Sequence, residues 1–367
     1  MSENLPRILS SILSYYGAVV SLEEKGQMEY LAPQEMAKNL GIPEYGVLNC
    51  LPQPAPETIA AFYDSEFIRS LDQFLADKGK IVKTVFSASI PNVNKLSHMV
   101  THTMGFSNAV FRVREMIPRD MVYLCIFFKY TALSDDKQED LISVLMNPLN
   151  ASVSLIHDHD FYLLEGLKEA EADYPWVLAE MTSHIEAAYS FAKTAIREKM
   201  GDFINNLEKR LNRDTKRVYE YYETLRQETN RSMAKLEKNV QELDKLRDKI
   251  KAIDAEEKWK IKDLIAKYKL EINIKPFSLI AIQTQSACWN IEIKRRAKTR
   301  SFLVSFNPLL RHIDPLPCEA CFYPLRPYYV CDDRLHIVCQ RCWGSCSSCL
   351  KSYCLACHPR HCPKCGK

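Results

Sequence analysis

Glycine is scarce in this chain, ten residues in 367. The phosphate-cradling loops of nucleotide enzymes need glycine, and neither a Walker-type loop, a dinucleotide fingerprint nor a Gly-x-Ser-x-Gly elbow occurs. These absences remove the commonest signatures of nucleotide-dependent and serine-nucleophile enzymes. No apolar run reaches the ~20 residues that span a bilayer. The first fourteen residues lack the cationic start, apolar stretch and cleavage site of a secretory signal. The expectation is a soluble, cytoplasmic protein without a membrane partner. Strong charge of one sign is also missing. A formal net charge of +3 is too small to draw the whole molecule to nucleic acid, so any basic surface must be local. Proline is absent between Pro175 and Pro276, where Gly201 is the one glycine, which leaves that stretch free of helix breakers.

The length suits two to four units, and ordinary apolar and charged shares of 47% and 26% predict a mostly folded chain. The fold class expected is α+β and multidomain. A small α+β unit over 1–50 is read from helical spacing over Leu5 to Tyr16, two short strands within Ala18 to Tyr30 and a helix over Pro33 to Leu40. A proline-rich connector, Leu51 to Pro56, leads to a second α+β domain over 57–160. There, helices are expected at Ser65 to Ala76 and Val93 to Thr103 and strands at Ala109 to Val113 and Met121 to Tyr130. A further helix is expected to be opened by Ser134, with Asp135 and Asp136 complementing its dipole.

Residues 161–272 read as a long helical region. Ile204, Leu207, Leu211, Val218, Tyr222 and Leu225, then Leu236, Val240, Leu243, Ile250 and Ile253, form a loosened coiled-coil seam. A continuous helix is favoured, pairing with a second copy in a homodimer, over one that folds back near Asn230 or Asp254. Residues 277–312 then read as a small β-sheet, with strands at Leu279 to Thr284, Trp289 to Lys294 and Phe302 to Phe306. The loop joining the last two carries Lys294, Arg295, Arg296, Lys298 and Arg300. This basic hairpin is the candidate for touching phosphate, with an ordinary solvated turn as its equal rival.

Fourteen cysteines are present, and eleven lie in a module over 316–367. Five CxxC pairs occur there, Cys318/Cys321, Cys339/Cys342, Cys346/Cys349, Cys354/Cys357 and Cys362/Cys365, with Cys331 besides. At that spacing two thiolates grip one tetrahedral zinc, and two such turns close a structural site. Eleven thiolates cannot fill three four-ligand sites, and His336 is better placed than His312, His358 or His361 to be the twelfth ligand. Two to three structural zinc ions are expected. Thiolate-only sites are normally closed, which points to binding and away from catalysis. The stray Cys50, Cys125 and Cys288 sit in apolar stretches and read as buried packing residues.

The order Cys318, Cys321, Cys331, His336, Cys339, Cys342, Cys354, Cys357 resembles the cross-brace of the RING-type and treble-clef zinc fingers over about forty residues. That resemblance implies one zinc on Cys318, Cys321, Cys339 and Cys342 and a second on Cys331, His336, Cys354 and Cys357, with Cys346/Cys349 and Cys362/Cys365 left for a third. The chain departs from the family in the four residues between Cys331 and His336 and in the extra CxxC before the last pair. A chain of zinc ribbons, with the first site unchanged and Cys346, Cys349, Cys354 and Cys357 forming the second, stays open. The segment Phe127 to Glu139 resembles stretches beyond the motor core of bacterial Swi/Snf-type ATPases.

Two histidine motifs have plainer readings. His98 and His102 have zincin spacing, but Met99 stands where the glutamate would be, so they read as helix-face histidines. His157-Asp158-His159-Asp160 reads as a polar turn. The function expected is a zinc-binding adaptor with a protein partner, docking on nucleic acid or on an enzyme that processes it. A RING-type ubiquitin ligase, with Ile337 and Trp343 near its docking face, and a structural coiled-coil scaffold are the alternatives.

Overall fold

The computed structural model describes residues 4–22, 26–51, 56–76, 78, 81–87, 93–157, 160, 166–170, 178–235, 240–324 and 326–366. Most of the proline-rich connector, Asp158, His159 and the seam position Leu236 lie outside these residues. The chain divides into two compact units, Met1–Lys80 and Ile81–Lys367.

The first unit contains α1 (Asn4–Tyr15), β1 (Val19–Leu22), β2 (Gln27–Leu31), α2 (Gln34–Leu40), β3 (Tyr45–Asn49), β4 (Ile59–Ala60) and α3 (Glu66–Leu75). Its strands form a sheet in the order β1-β2-β3-β4. Helix α3 begins where the Ser65 hydroxyl accepts the Ile68 N–H at 3.3 Å, and α2 stops at Gly41 in the left-handed region. Residue 50 is not the end of this unit. Phe67 and Leu71 are buried in the same core as Leu9, Leu13, Met28 and Leu48.

The second unit opens with β5 (Ile81–Val85), α4 (Val93–Thr103), β6 (Val110–Leu133), β7 (Lys137–Asn147), β8 (Ser152–Ile156) and β9 (Lys168–Glu169). Three helices follow, α5 (Leu178–Lys199), α6 (Gly201–Lys235) and α7 (Val240–Lys267). The chain then returns as β10 (Glu271–Arg295), β11 (Lys298–Asn307) and β12 (His312–Ile313). The sheet order β12-β11-β10-β6-β7-β8 reads the same topology from either end. On each side a strand of more than twenty residues turns through a tight hairpin and ends at Asn-Pro-Leu, at 147–149 and at 307–309. Both asparagines cap their own turn, accepting from the N–H of Leu149 at 3.0 Å and of Leu309 at 3.1 Å. Ala151 and Arg311 take matching left-handed conformations, φ 55 and 53. The unit is thus an internally repeated sheet, with α5 to α7 inserted between the repeats.

Residues read from sequence as parts of separate domains, 57–160 and 277–312, therefore share one sheet. β10 pairs antiparallel with β6 from Glu271↔Leu133 to Lys294↔Val110. Pairing across a long separation leaves no mark on local periodicity, so the sequence does not display it.

Two further expectations are corrected. Ser134, Asp135 and Asp136 open no helix; they form the hairpin turn between β6 and β7, with the Ser134 N–H donating to the Asp136 carbonyl at 3.0 Å. The run from Ile142 to Asn147 is buried at every position, as a central strand covered on both faces must be. The long coiled-coil helix is replaced by an antiparallel pair. Tyr268 Oη donates to Asp214 at 2.7 Å and Arg226 meets Asp254 at 3.0 Å and also Glu257, so α6 and α7 face each other within one chain. Leu207, Tyr222 and Ile253 are buried. A partner tethered within the same chain closes such a seam without the entropy loss of association. The base of the pair is held to the β6–β7 turn by Asp136–Arg210 at 2.7 Å and Asp135–Lys267 at 3.4 Å.

Glu257 is almost fully buried, and its second oxygen has no hydrogen-bond partner among the described residues. Replacing Arg226 with Ala would strand that carboxylate. Amide exchange is expected to quicken across α6 and α7 while the sheet keeps its protection; unchanged exchange would show that the Arg226 contacts do not hold the pair closed.

Candidate metal centre

The centre is built from short turns. β13 (Tyr328–Val330) and β14 (Ile337–Cys339) pair antiparallel, as do β15 (Trp343–Ser345) and β16 (Ser352–Cys354). Four CxxC segments share one return bond: the N–H four residues after the first cysteine donates to its carbonyl, Phe322 to Cys318 at 2.7 Å, Leu350 to Cys346 at 2.9 Å, His358 to Cys354 at 3.0 Å and Gly366 to Cys362 at 2.9 Å. Phe322, Leu350 and Gly366 sit in the left-handed region. Such knuckles turn two sulfurs inward at a spacing fixed by the backbone.

Three groups of four donors result: Cys318, Cys321, Cys339 and Cys342; Cys331, His336, Cys354 and Cys357; and Cys346, Cys349, Cys362 and Cys365. Within each group the donor atoms lie within 4.8 Å of one another. A zinc tetrahedron with Zn–S near 2.3 Å has S–S edges of about 3.8 Å. Cys321–Cys339 at 3.9 Å, Cys331–Cys357 at 3.8 Å and Cys349–Cys362 at 3.8 Å match that edge, and Cys346–Cys365 at 3.5 Å is close to it. His336 presents Nδ1 to Cys357 Sγ at 3.2 Å and to Cys354 Sγ at 4.0 Å. No disulfide joins any two of the described cysteines. Each group could hold one metal ion, and the donor set is compatible with zinc.

The first two groups interleave in sequence, first pair with third and second with fourth, the same sets that the cross-brace resemblance implies. The extra CxxC that broke the family pattern joins the last pair in a third group, and the alternative joining Cys346 and Cys349 to Cys354 and Cys357 is not what the structure brings together. Local donors ready several sulfurs for a cation. The Cys331 thiol is held well below its usual range by Cys354 and by the N–H groups of Arg334 and His336. Cys346 is drawn down by the N–H groups of Cys349 and Ser348. Cys125 and Cys288 show the opposite behaviour, pushed by burial to about 12 and about 11, and are inert packing groups. Four protein donors complete a tetrahedron, so a metal here has no open position for substrate.

The basic hairpin serves this centre as its mount. Arg295 Nε meets Asp332 at 2.7 Å, Arg296 meets the same carboxylate at 3.2 Å, and Lys298 Nζ donates to the Asp332 and Asp333 carbonyls at 3.0 and 2.8 Å. Arg300 grips Glu319 through both nitrogens, at 2.8 and 3.1 Å, and Glu319 in turn accepts the Ile337 N–H at 2.6 Å. Of the five cations, Lys294 and Arg296 are the ones that stay exposed without a backbone carbonyl or a bidentate partner in the module. Further straps come from Asn108, which exchanges hydrogen bonds with the Val330 backbone at 2.8 and 3.2 Å, and from Phe191, stacked on Tyr323 at 5.2 Å. Glu319 and Asp332 are functional partners that the sequence reading missed; the matching surplus of cations on the hairpin was the available signal. Substituting Ala for Arg300, for Glu319 and for both is expected to give a coupling energy on the order of 1 kcal/mol in a double-mutant cycle. Additive losses would mean that the pair does not strap the module down.

The remaining histidines stay outside the three groups. His358 faces Asp333 at 3.4 Å and His312 Nδ1 lies 3.0 Å from the Ile313 carbonyl. Asp160 accepts the His157 N–H at 3.1 Å, the two described residues of that motif, and His98 is exposed on α4. No helix among the described residues is long and apolar enough to cross a membrane. No protein-family model and no curated protein matches the chain.

Proposed function

We propose that the protein is a zinc-binding adaptor, whose C-terminal region is folded by three structural zinc ions into a rigid surface for a protein partner. The observation that carries this is the set of three closed donor tetrads strapped to a large sheet. A metal enclosed by four protein ligands contributes folding energy and shape. The sheet and the helix pair then give that shape a fixed frame. A protein partner is favoured over nucleic acid because Arg295 and Arg300 are turned to Asp332 and Glu319, leaving little of the hairpin's charge for phosphate.

Elemental analysis of protein purified without chelator is expected to find three zinc ions per chain; less than about one would remove the proposal. Salt-dependent binding of duplex DNA, weakened by Arg296→Ala, would move the partner to the nucleic-acid class. The interleaved order of the first two tetrads favours a second reading, a RING-type ubiquitin ligase. Ile337 is 1% exposed and belongs to the sheet's core, so it cannot meet a conjugating enzyme. Trp343, half-buried and stacked on Tyr329, is the better probe: ubiquitin discharge from a loaded conjugating enzyme, lost on Trp343→Ala, would select this reading.

A further inference from the structure

The inserted helices leave one stretch of strand edge uncovered. β10 pairs with β6 along one edge; along the other it takes β5 at Leu279 to Gln283 and β11 from Cys288 onward. On that second edge Glu271 to Phe277 therefore has no strand beside it among the described residues. Beside this edge lies a groove of about 760 Å³ between β10, α5 and the start of α6. Ile272, Ile274 and Leu270 line one wall and Ile196 and Ile204 the other. Ile272 is 37% exposed, unusual for an isoleucine facing a helix layer. Lys193, Arg197 and Arg341 also line the groove. Arg341 is held by Glu198 at 3.0 Å, whereas Lys193 and Arg197, both exposed, make no ion pair with any described residue.

We propose that this groove binds an extended acidic segment of a protein partner, which adds as a strand along Glu271 to Lys275. Apolar side chains at every second position of that segment would pack against Ile272 and Ile274, and its carboxylates would meet Lys193 and Arg197. An open strand edge offers alternating N–H and C=O groups, which a peptide backbone matches and a phosphate chain does not. The apolar walls call for a partner with aliphatic side chains, and the two unpaired cations call for negative charge. Pro276 has no N–H to donate, so it ends the ladder and guards the edge against indiscriminate pairing. This deepens the adaptor reading by giving its partner a chemistry, and zinc content tests that reading separately.

The test uses the full-length, zinc-loaded protein and three short fluorescent peptides. One alternates Val with Glu, one alternates Val with Lys, and one is the Val/Glu peptide N-methylated at alternate amides. Fluorescence polarisation is expected to show binding of the Val/Glu peptide alone, and that peptide should slow amide exchange at 271–275. The surface double variant Lys193→Glu with Arg197→Glu, its fold and zinc content checked by circular dichroism and elemental analysis, is expected to bind roughly tenfold more weakly or worse. Failure of the Val/Glu peptide to bind, equal binding of the Val/Lys peptide or of the N-methylated one, or displacement by a single-stranded DNA oligonucleotide would overturn the proposal. So would protection of 271–275 by self-association of the chain.

Discussion

Replacing Cys339 with Ser is expected to release the first zinc at chelator concentrations that leave the other two bound, and to loosen the sheet as well as the tail. Cys339 is fully buried at the end of β14. The two residues before it, Ile337 and Val338, are buried too, and Ile337 packs with Trp289 and Ile291 of β10 and Val304 of β11. A structural zinc contributes on the order of 10 kcal/mol to folding a small module, comparable to the whole stability of a typical domain. Losing one ligand therefore threatens all of β13 and β14. Cys365 makes the contrast, since it is exposed and belongs to the third tetrad alone. Cys365→Ser should release one zinc and leave the sheet's amide exchange unchanged. Competition with a chromophoric chelator, read beside exchange at Trp289 and Ile291, distinguishes the two. Equal retention of all three ions in the Cys339 variant would refute the assignment of that tetrad.

The second large effect is expected at Asp314, a buried carboxylate 2% exposed. One of its oxygens accepts from Tyr123 Oη at 2.8 Å, Asn147 Nδ2 at 2.8 Å and Ser305 Oγ at 2.7 Å, and the other from Asn307 Nδ2 at 3.0 Å. The two capping asparagines of the sheet's repeated turns thus meet on one anion, at the point where the halves join. Asp314→Ala would remove the acceptor that four buried donors share, leaving Tyr123 only the longer bond to the Phe306 carbonyl at 3.4 Å and Asn147 only the Ser305 hydroxyl at 2.7 Å, a loss on the order of 3 kcal/mol. Asp314→Asn keeps the shape and one acceptor and should lose less. Chemical denaturation measures both, and a loss under about 0.5 kcal/mol for the Ala variant would show that water replaces the carboxylate. The same cluster sets an alkaline limit. Burial, reinforced by the Asp314 charge, raises the Tyr123 phenol well above its ordinary value. Its contribution is complete below the ordinary tyrosine range, and stability should decline once the pH exceeds about 10, where the unfolded phenol ionises first. Tyr123→Phe should flatten that decline.

The cysteine-rich region was legible because its chemistry is local: cysteines separated by two residues declare a knuckle wherever they occur. Helices with strong caps or clean spacing, such as α3 behind Ser65 and α4, were legible for the same reason. What the sequence hid was long-range. Met121 to Tyr130 and Leu279 to Thr284 each read as strands, yet nothing in either marks them as neighbours across the intervening helices. The acidic turn at Asp135 and Asp136 carries the composition of a helix start, and only the burial of the strand after it decides otherwise. The helical seam likewise fits a partner chain or the chain itself, and heptad spacing is blind to that choice. Asn-Pro-Leu at 147–149 and 307–309 was a usable sign of the repeat, short enough to pass for chance.

The helix pair leaves and rejoins the sheet beside the same hairpin turn, with Arg210 and Lys267 tied to adjacent aspartates. Its outer length is therefore geometrically independent of the strands. Matched deletion of whole turns from both arms should shorten the projection and keep the base, the strand register and the metal sites intact. The distance a distal binding partner would reach from the sheet is thus adjustable, like a boom on a fixed footing.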